Sequence, residues 1–176
     1  MREASEGDFK QSRTSIIYAN DGTVIKALQS GKDVYYLPYG DIPEAVVTAM
    51  IVTEDKKFFS HDGVDYMANL RAAYSLVKHK GTIYQGGSTI TQQLARNIYL
   101  TNEQTYERKL TEIFLAGELE KRYNKKEILE FYLNNIYFAN GFYGIQAAAH
   151  GYFSKGVAEL SLSELMFLCA IPNNPS

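Results

Sequence analysis

VTAMIVTEDKKFFSHDG, residues Val47 to Gly63, is the stretch on which the reading of this chain turns. Val47, Met50, Ile51 and Glu54 fall at i, i+3, i+4 and i+7, which predicts one stripe of an α-helix whose fourth place is a carboxylate. A carboxylate on a core-facing stripe must find a partner or take up a proton. Two readings follow: Glu54 pairs structurally with Lys57 or a distant arginine, or it is a functional acid. Behind it, Asp55, Lys56, Lys57, Phe58, Phe59, His61 and Gly63 read as a helix end running into an aromatic, glycine-broken loop, the setting in which active sites are built. His61 taken alone reads as a packed or capping side chain.

Upstream, the polar segment 1–13 reads as a linker or cloning remnant, leaving 14–176 as one domain. Ser15 to Ala19 and Thr23 to Leu28 flank Asn20-Asp21-Gly22, a pattern that predicts a small N-terminal hairpin. Asp41 or Ile42 should cap a helix with Pro43 in its first turn. Downstream, helices are expected over 65–79, with Leu70, Ala73, Tyr74 and Val77 inward, then over 88–98, 103–123, 125–135 and 145–153. A last one runs from Ser161 to Ala170, where Pro172 stops it. The glycine-bearing stretch 78–87 between two of them reads as a loop.

Composition sets the outer limits. With 176 residues, 45% of them hydrophobic, the chain can bury a conventional core. A net charge of -2 gives no overall field for nucleic acid, so an anionic ligand must be met by a local cluster. The single cysteine, Cys169, lies in an apolar run and reads as a small core residue. No signal peptide is visible and no run reaches the roughly 18 apolar residues that span a bilayer. The chain is thus either soluble or a segment of a membrane-tethered parent.

Two further patterns carry chemistry. On a helical wheel, Ser88, Thr89, Gln92, Gln93 and Arg96 share one arc, while Ile90, Leu94 and Ile98 take the other. Amides, hydroxyls and an arginine without an acid suit a ligand bearing hydroxyls and phosphate, whereas a solvated face would favour Glu and Lys. Ser88 can cap this helix, and with Gly86 and Gly87 before it the helix start is anion-friendly. Glu112 has Leu115, Ala116 and Leu119 at i+3, i+4 and i+7, so it is a second acid on an apolar stripe, with Arg108 one turn earlier. It fits either a structural ion pair or, with Glu54, a paired-carboxylate glycosyl site.

The segments EDKKFFSHDG, GGSTITQQLARN, RKLTE and KKEILEFYLNN, in that order, make the chain from about Ile42 to Ser176 resemble the glycosyltransferase domain of bifunctional penicillin-binding proteins and monofunctional peptidoglycan glycosyltransferases, the family 51 glycosyltransferases. The resemblance implies a mainly α (α+β), lysozyme-like, two-lobed fold. The activity it implies is polymerisation of lipid II into β-1,4-linked glycan by inverting transfer, with release of undecaprenyl pyrophosphate. Glu54 would be the general base and Glu112 the second catalytic acid, which orients the substrate, holds a metal or supports the basic cluster. Asp55, Phe58, His61, Gly87, Ser88, Thr89, Gln92, Gln93, Arg96, Asn97, Arg108 and Lys109 match positions that meet substrate. Lys126, Glu130 and Asn134 of the fourth segment read as structural.

No protein metal site is expected, although members of such families use a divalent cation, Mg2+ or Mn2+, beside their basic residues. The implied partners are lipid II, the growing glycan chain, moenomycin as inhibitor, the membrane surface and other cell-wall synthesis proteins. The implied place is the extracytoplasmic face of a bacterial cell membrane, reached through an anchor outside this chain. Met67, Leu70, Tyr74, Leu76, Val77 and Ile83 are candidates for a bilayer-facing surface. Gln104 and Thr111 stand where the family commonly carries basic residues, and its fifth motif would follow Ser176, so the domain reads as truncated. A glycan-cleaving lysozyme-like enzyme and a catalytically weakened scaffold are the alternatives.

Overall fold

The computed structural model describes residues 15–18, 24–28, 35–71, 87–100 and 105–173. The described residues are mainly helical and fall into two compact units, one of 1–49 with 129–176 and one of 50–128.

In the first unit, β1 (Ser15–Tyr18) pairs antiparallel with β2 (Val24–Leu28), Ser15 opposite Leu28 and Ile17 opposite Lys26. Helix α1 (Glu44–Glu54) begins here; Pro43 lies just before it rather than within its first turn, and its carbonyl accepts the Val47 amide. The second half of α4 (Lys125–Asn135), α5 (Ile145–Phe153) and α6 (Leu162–Ala170) complete the unit. Val46, Tyr132, Leu133, Phe138, Ile145 and Leu168 are fully buried at its centre, and Cys169 joins them. Ser161 and Glu164 form a capping box at the start of α6.

Glu130 and Asn134 act as a strap. The Tyr36 hydroxyl and the Tyr39 amide both donate to Glu130, while Asn134 exchanges two hydrogen bonds, of 2.7 and 2.8 Å, with the backbone of Leu37. Side chains thus satisfy backbone groups of this irregular segment. Gly144 seats against the same, C-terminal end of α4, its amide donating to the Ile136 carbonyl. At φ 83° and ψ 148° it occupies a region open essentially to glycine, and an added Cβ would lie 2.7 Å from the Asn134 carbonyl oxygen. Gly144→Ala is therefore expected to cost about 3 kcal/mol and lower Tm by roughly 6–12 °C in calorimetry. An unchanged Tm would show that this turn relaxes freely.

The second unit holds the last turn of α1, the 55–63 loop, a helical stretch over 66–71, α2 (Ile90–Tyr99), α3 (Tyr106–Arg122) and the first turn of α4. Met50, Phe58, Ile90, Leu94, Ala116 and Ile128 are its fully buried centre, with α2 packed on α3. Three expectations need correction. Thr89, not Ser88, caps α2, in a reciprocal box with Gln92, so Ser88 is left free to point elsewhere. Leu70, expected inward, is 64% exposed. Helix α3 starts at Tyr106 with Thr105 as its cap, later than the expected 103. Gln104, Tyr74, Leu76, Val77 and Ile83, and the 78–86 loop, lie outside the described residues.

Candidate active site

The chemistry is concentrated in the second unit, around α2. Its polar arc is largely shut off from water: Thr89, Gln92 and Gln93 are buried and Ser88 and Arg96 half-buried, while Thr91 is buried on the other arc and Asn97 is exposed. Helix α2 is therefore enclosed on both faces, and its amides serve as internal hydrogen-bonding groups.

Glu54 ends α1 half-buried, and its partner is an amide rather than Lys57. The Gln93 Nε2 donates to Glu54 Oε2 at 2.8 Å, and Glu54 Oε1 is buried without a hydrogen bond. Burial pushes the Glu54 carboxyl above the usual glutamate range; the Gln93 hydrogen bond and the Arg96 charge pull it back, and Asp55 adds to the rise. A carboxylate with one oxygen held and the other without a hydrogen bond is shaped to accept a proton.

The next residue, Asp55, is buried and fully engaged. Its two oxygens each lie 3.0 Å from His61 Nε2, and Oδ2 also accepts the Ile90 amide at the start of α2. The anion-friendly helix start expected to meet a ligand is thus filled by the chain's own carboxylate. Phe58 is fully buried, and Thr89 spends its hydroxyl on the cap and on the Gly63 carbonyl, 2.5 Å away. These side chains frame the site. Gly63 has φ 85° and would bring a Cβ within 2.9 Å of the Ala116 carbonyl oxygen, so the loop seats directly on α3.

Glu112 on α3 is fully buried, as its apolar stripe predicts. Lys109 Nζ donates to Glu112 Oε1 at 2.5 Å and to Ser88 Oγ at 2.7 Å, and an Arg108 nitrogen stands 3.9 Å from Glu112 Oε2. Glu112 Oε2 and Arg108 Nε make no hydrogen bond although both are buried, nor does Gln92 Nε2. Such groups normally find partners, so the site holds unused donors and acceptors of both signs. Segment 88–93 ties the acids together: Gln93 holds Glu54, and Ser88 holds the lysine that holds Glu112. Gly87 precedes this segment, half-buried.

Among the described residues, no group of three or more His, Cys, Asp or Glu side chains is spaced to hold a metal ion, and Glu112 already faces two cations. No helix among the described residues is long and apolar enough to cross a membrane.

Two half-buried charges escaped the sequence reading. Glu120 lies eight residues after Glu112 and four after Ala116, on the same side of α3, but Tyr123, Asn124 and Glu127 at i+3, i+4 and i+7 give it no apolar stripe of the kind that singles out Glu112. Its partner is Lys125, the neighbour of the lysine singled out in the fourth segment, Lys126.

The transglycosylase family profile matches residues 21–176. Penicillin-binding protein 4 of Bacillus subtilis (strain 168) is 47% identical over 170 residues, covering 96% of this chain and 27% of its own length. Penicillin-binding protein 1A of Aquifex aeolicus (strain VF5) is 50% identical over 143 residues, 81% of this chain and 19% of its own. Penicillin-binding protein 1A of Pseudomonas aeruginosa is 42% identical over 160 residues, 91% and 19%. The chain thus spans between 19% and 27% of the length of these curated relatives. By the reach of that profile and the level of identity across most of its residues, the chain belongs to the transglycosylase family, alongside the matching regions of penicillin-binding proteins.

Proposed function

We propose that the chain is a peptidoglycan glycosyltransferase domain that polymerises lipid II. The observation that carries this reading is Glu54: a half-buried carboxylate with one oxygen held by Gln93, the other without a hydrogen bond, and an affinity for protons raised by burial. In the reaction, the acceptor sugar's 4-hydroxyl gives its proton to Glu54 as its oxygen attacks the anomeric carbon of the growing chain. The bond from that carbon to the undecaprenyl pyrophosphate breaks, and its electron pair leaves on the phosphate oxygen. Attack opposite the leaving group inverts the anomeric centre and gives a β linkage from an α-linked donor.

Charge that grows on the pyrophosphate needs fixed cations. Arg108 and Lys109 supply them beside Glu112, and Arg96 lies near enough to Glu54 to act on its charge. This concentration of cations favours a transferase with an anionic leaving group over a glycan hydrolase, which releases a neutral sugar. The family's lysozyme-like, two-lobed fold and a place at the extracytoplasmic face of the bacterial membrane, through an anchor in the parent, belong to the same reading. The exposed Met67 and Leu70 are its candidates for a bilayer contact.

The test is incubation of the chain with lipid II and separation of the products by length. A ladder of glycan strands abolished by moenomycin is expected; release of short fragments from preformed glycan would instead identify a hydrolase. Arg96→Ala is expected to weaken moenomycin binding by about tenfold or more, as loss of a charge-assisted contact to phosphate does. Unchanged affinity in calorimetric titration would place the cationic grip on other residues.

A further inference from the structure

The mechanism above leaves one half-buried ion pair unused. Lys125, the first residue of α4, is only 21% exposed at its side chain, and Glu120 only 8%. Lys125 Nζ donates to Glu120 Oε1 at 2.7 Å and to the His61 carbonyl at 2.6 Å, and stands 4.4 Å above the Phe58 ring. Glu120 Oε1 also accepts the Thr91 hydroxyl of α2 at 2.6 Å. One ammonium thus touches the loop at two points while its counter-ion reaches α2 and abuts Gly63.

A pair withdrawn this far from water adds little net stability compared with two apolar side chains, because desolvation offsets the attraction. Its geometry is directional, however, and the loop it grips is the one that leaves Glu54. Between Glu54 and Gly63 the segment is held through the Asp55 carboxylate by the Ile90 amide, through the His61 carbonyl by Lys125, and through the Gly63 carbonyl by Thr89. Removing the Lys125 contact loosens the segment that follows directly on the base.

We propose that Lys125, oriented by Glu120, is a positioning residue for Glu54: it fixes the 55–63 loop so that the Glu54 carboxylate stays enclosed and aimed at the acceptor. This rests on the reading of Glu54 as the base. The charged groups that face Glu54 are Arg96 from α2 and Asp55 from its own segment, with Gln93 as hydrogen-bond donor, and none is altered by changing Lys125.

The experiment compares wild type with Lys125→Met, Lys125→Arg and the double change Lys125→Met with Glu120→Met. Polymerisation of lipid II gives kcat, KM and their pH profiles. Thermal melts give stability, and NMR of 13C-labelled glutamate, assigned against Glu54→Gln, gives the Glu54 titration directly. Lys125→Met is expected to lower kcat by about 10- to 100-fold with little change in KM, the cost of a small misplacement of the base. Its acid limb and the Glu54 titration should both move down towards the ordinary glutamate range as water enters. Lys125→Arg should restore both.

The double variant, with its apolar pair, should melt at or above the wild-type temperature and yet stay slow. Recovery of kcat along with the melting temperature would overturn the proposal, and so would a Glu54 titration unmoved in Lys125→Met. If wild type makes no polymer, the proposed function fails, while the Glu54 titration still decides the role of Lys125.

Discussion

Glu54→Gln is expected to remove polymer formation from lipid II almost entirely, lowering turnover by about 10²- to 10⁴-fold, the usual contribution of a positioned general base. The change is nearly isosteric. The new amide oxygen can still accept the Gln93 hydrogen bond, and the second position, which makes no hydrogen bond in the wild type, asks little of the replacement. The fold should therefore persist while the proton acceptor is lost. A glutamine variant that polymerises at the wild-type rate would assign the base elsewhere.

The same substitution has a stability signature of known sign. Burial raises the folded-state affinity of Glu54 for its proton above that of the unfolded chain. The native state then binds more protons than the unfolded state between the two pKa values, so stability falls as pH rises through that window. Below it Glu54 is neutral in both states and glutamine changes nothing. Above it, glutamine relieves the cost of a partly buried charge. After allowance for its exposure, Glu54→Gln should melt about 1–3 °C higher than wild type at neutral pH, with no gain in acid. Enzymes commonly trade stability for such groups. A variant less stable than wild type at neutral pH would show that the carboxylate is well compensated after all. In wild type, the acid limb of kcat/KM should sit above the ordinary glutamate range for the same reason.

The two acids were legible because period and chemistry conflict at them: Glu54 and Glu112 each occupy a core position of an otherwise apolar helical stripe, and the structure half-buries one and fully buries the other. Helix ends were legible where capping chemistry is local, as at Ser161 and Asn124, whose side-chain oxygen takes the Lys126 and Glu127 amides. Less could be read wherever a partner lies far away in sequence. Asp55 at the start of α2 is 35 positions from Ile90, and Lys125 is 64 from His61. A wheel that places Gln92 and Gln93 on a polar arc cannot say that the arc is buried, because burial is decided by Glu54 and Gly63 arriving from another segment. The choice between Ser88 and Thr89 as cap turns on one residue of register, and both types cap well. The fold resolves it by committing Thr89 to Gly63 and turning Ser88 towards Lys109.

Glu112→Gln is the other change expected to have a large effect, a loss of turnover of about 10²-fold. Arg108 and Lys109 are adjacent like charges brought to one place, an arrangement that is unfavourable without a counter-ion between them. Glu112 is that counter-ion: it accepts from Lys109, stands within reach of Arg108, and is itself shut off from water. Glutamine keeps the shape but removes the charge. Lys109, already 35% exposed at its side chain, can then leave for solvent rather than remain on Ser88, and the cation needed at the leaving group is no longer waiting there. The fold should lose only about 1–3 kcal/mol, the worth of hydrogen bonds to a charged group, so the variant should remain folded and its slowness measurable. The discriminating experiment is a cycle with Lys109→Met. If Glu112 acts by holding Lys109, the double variant should be no slower than the worse single one, because the second change removes something already lost. Losses that multiply would mean that Glu112 meets the substrate on its own account, with Lys109 as a separate contact.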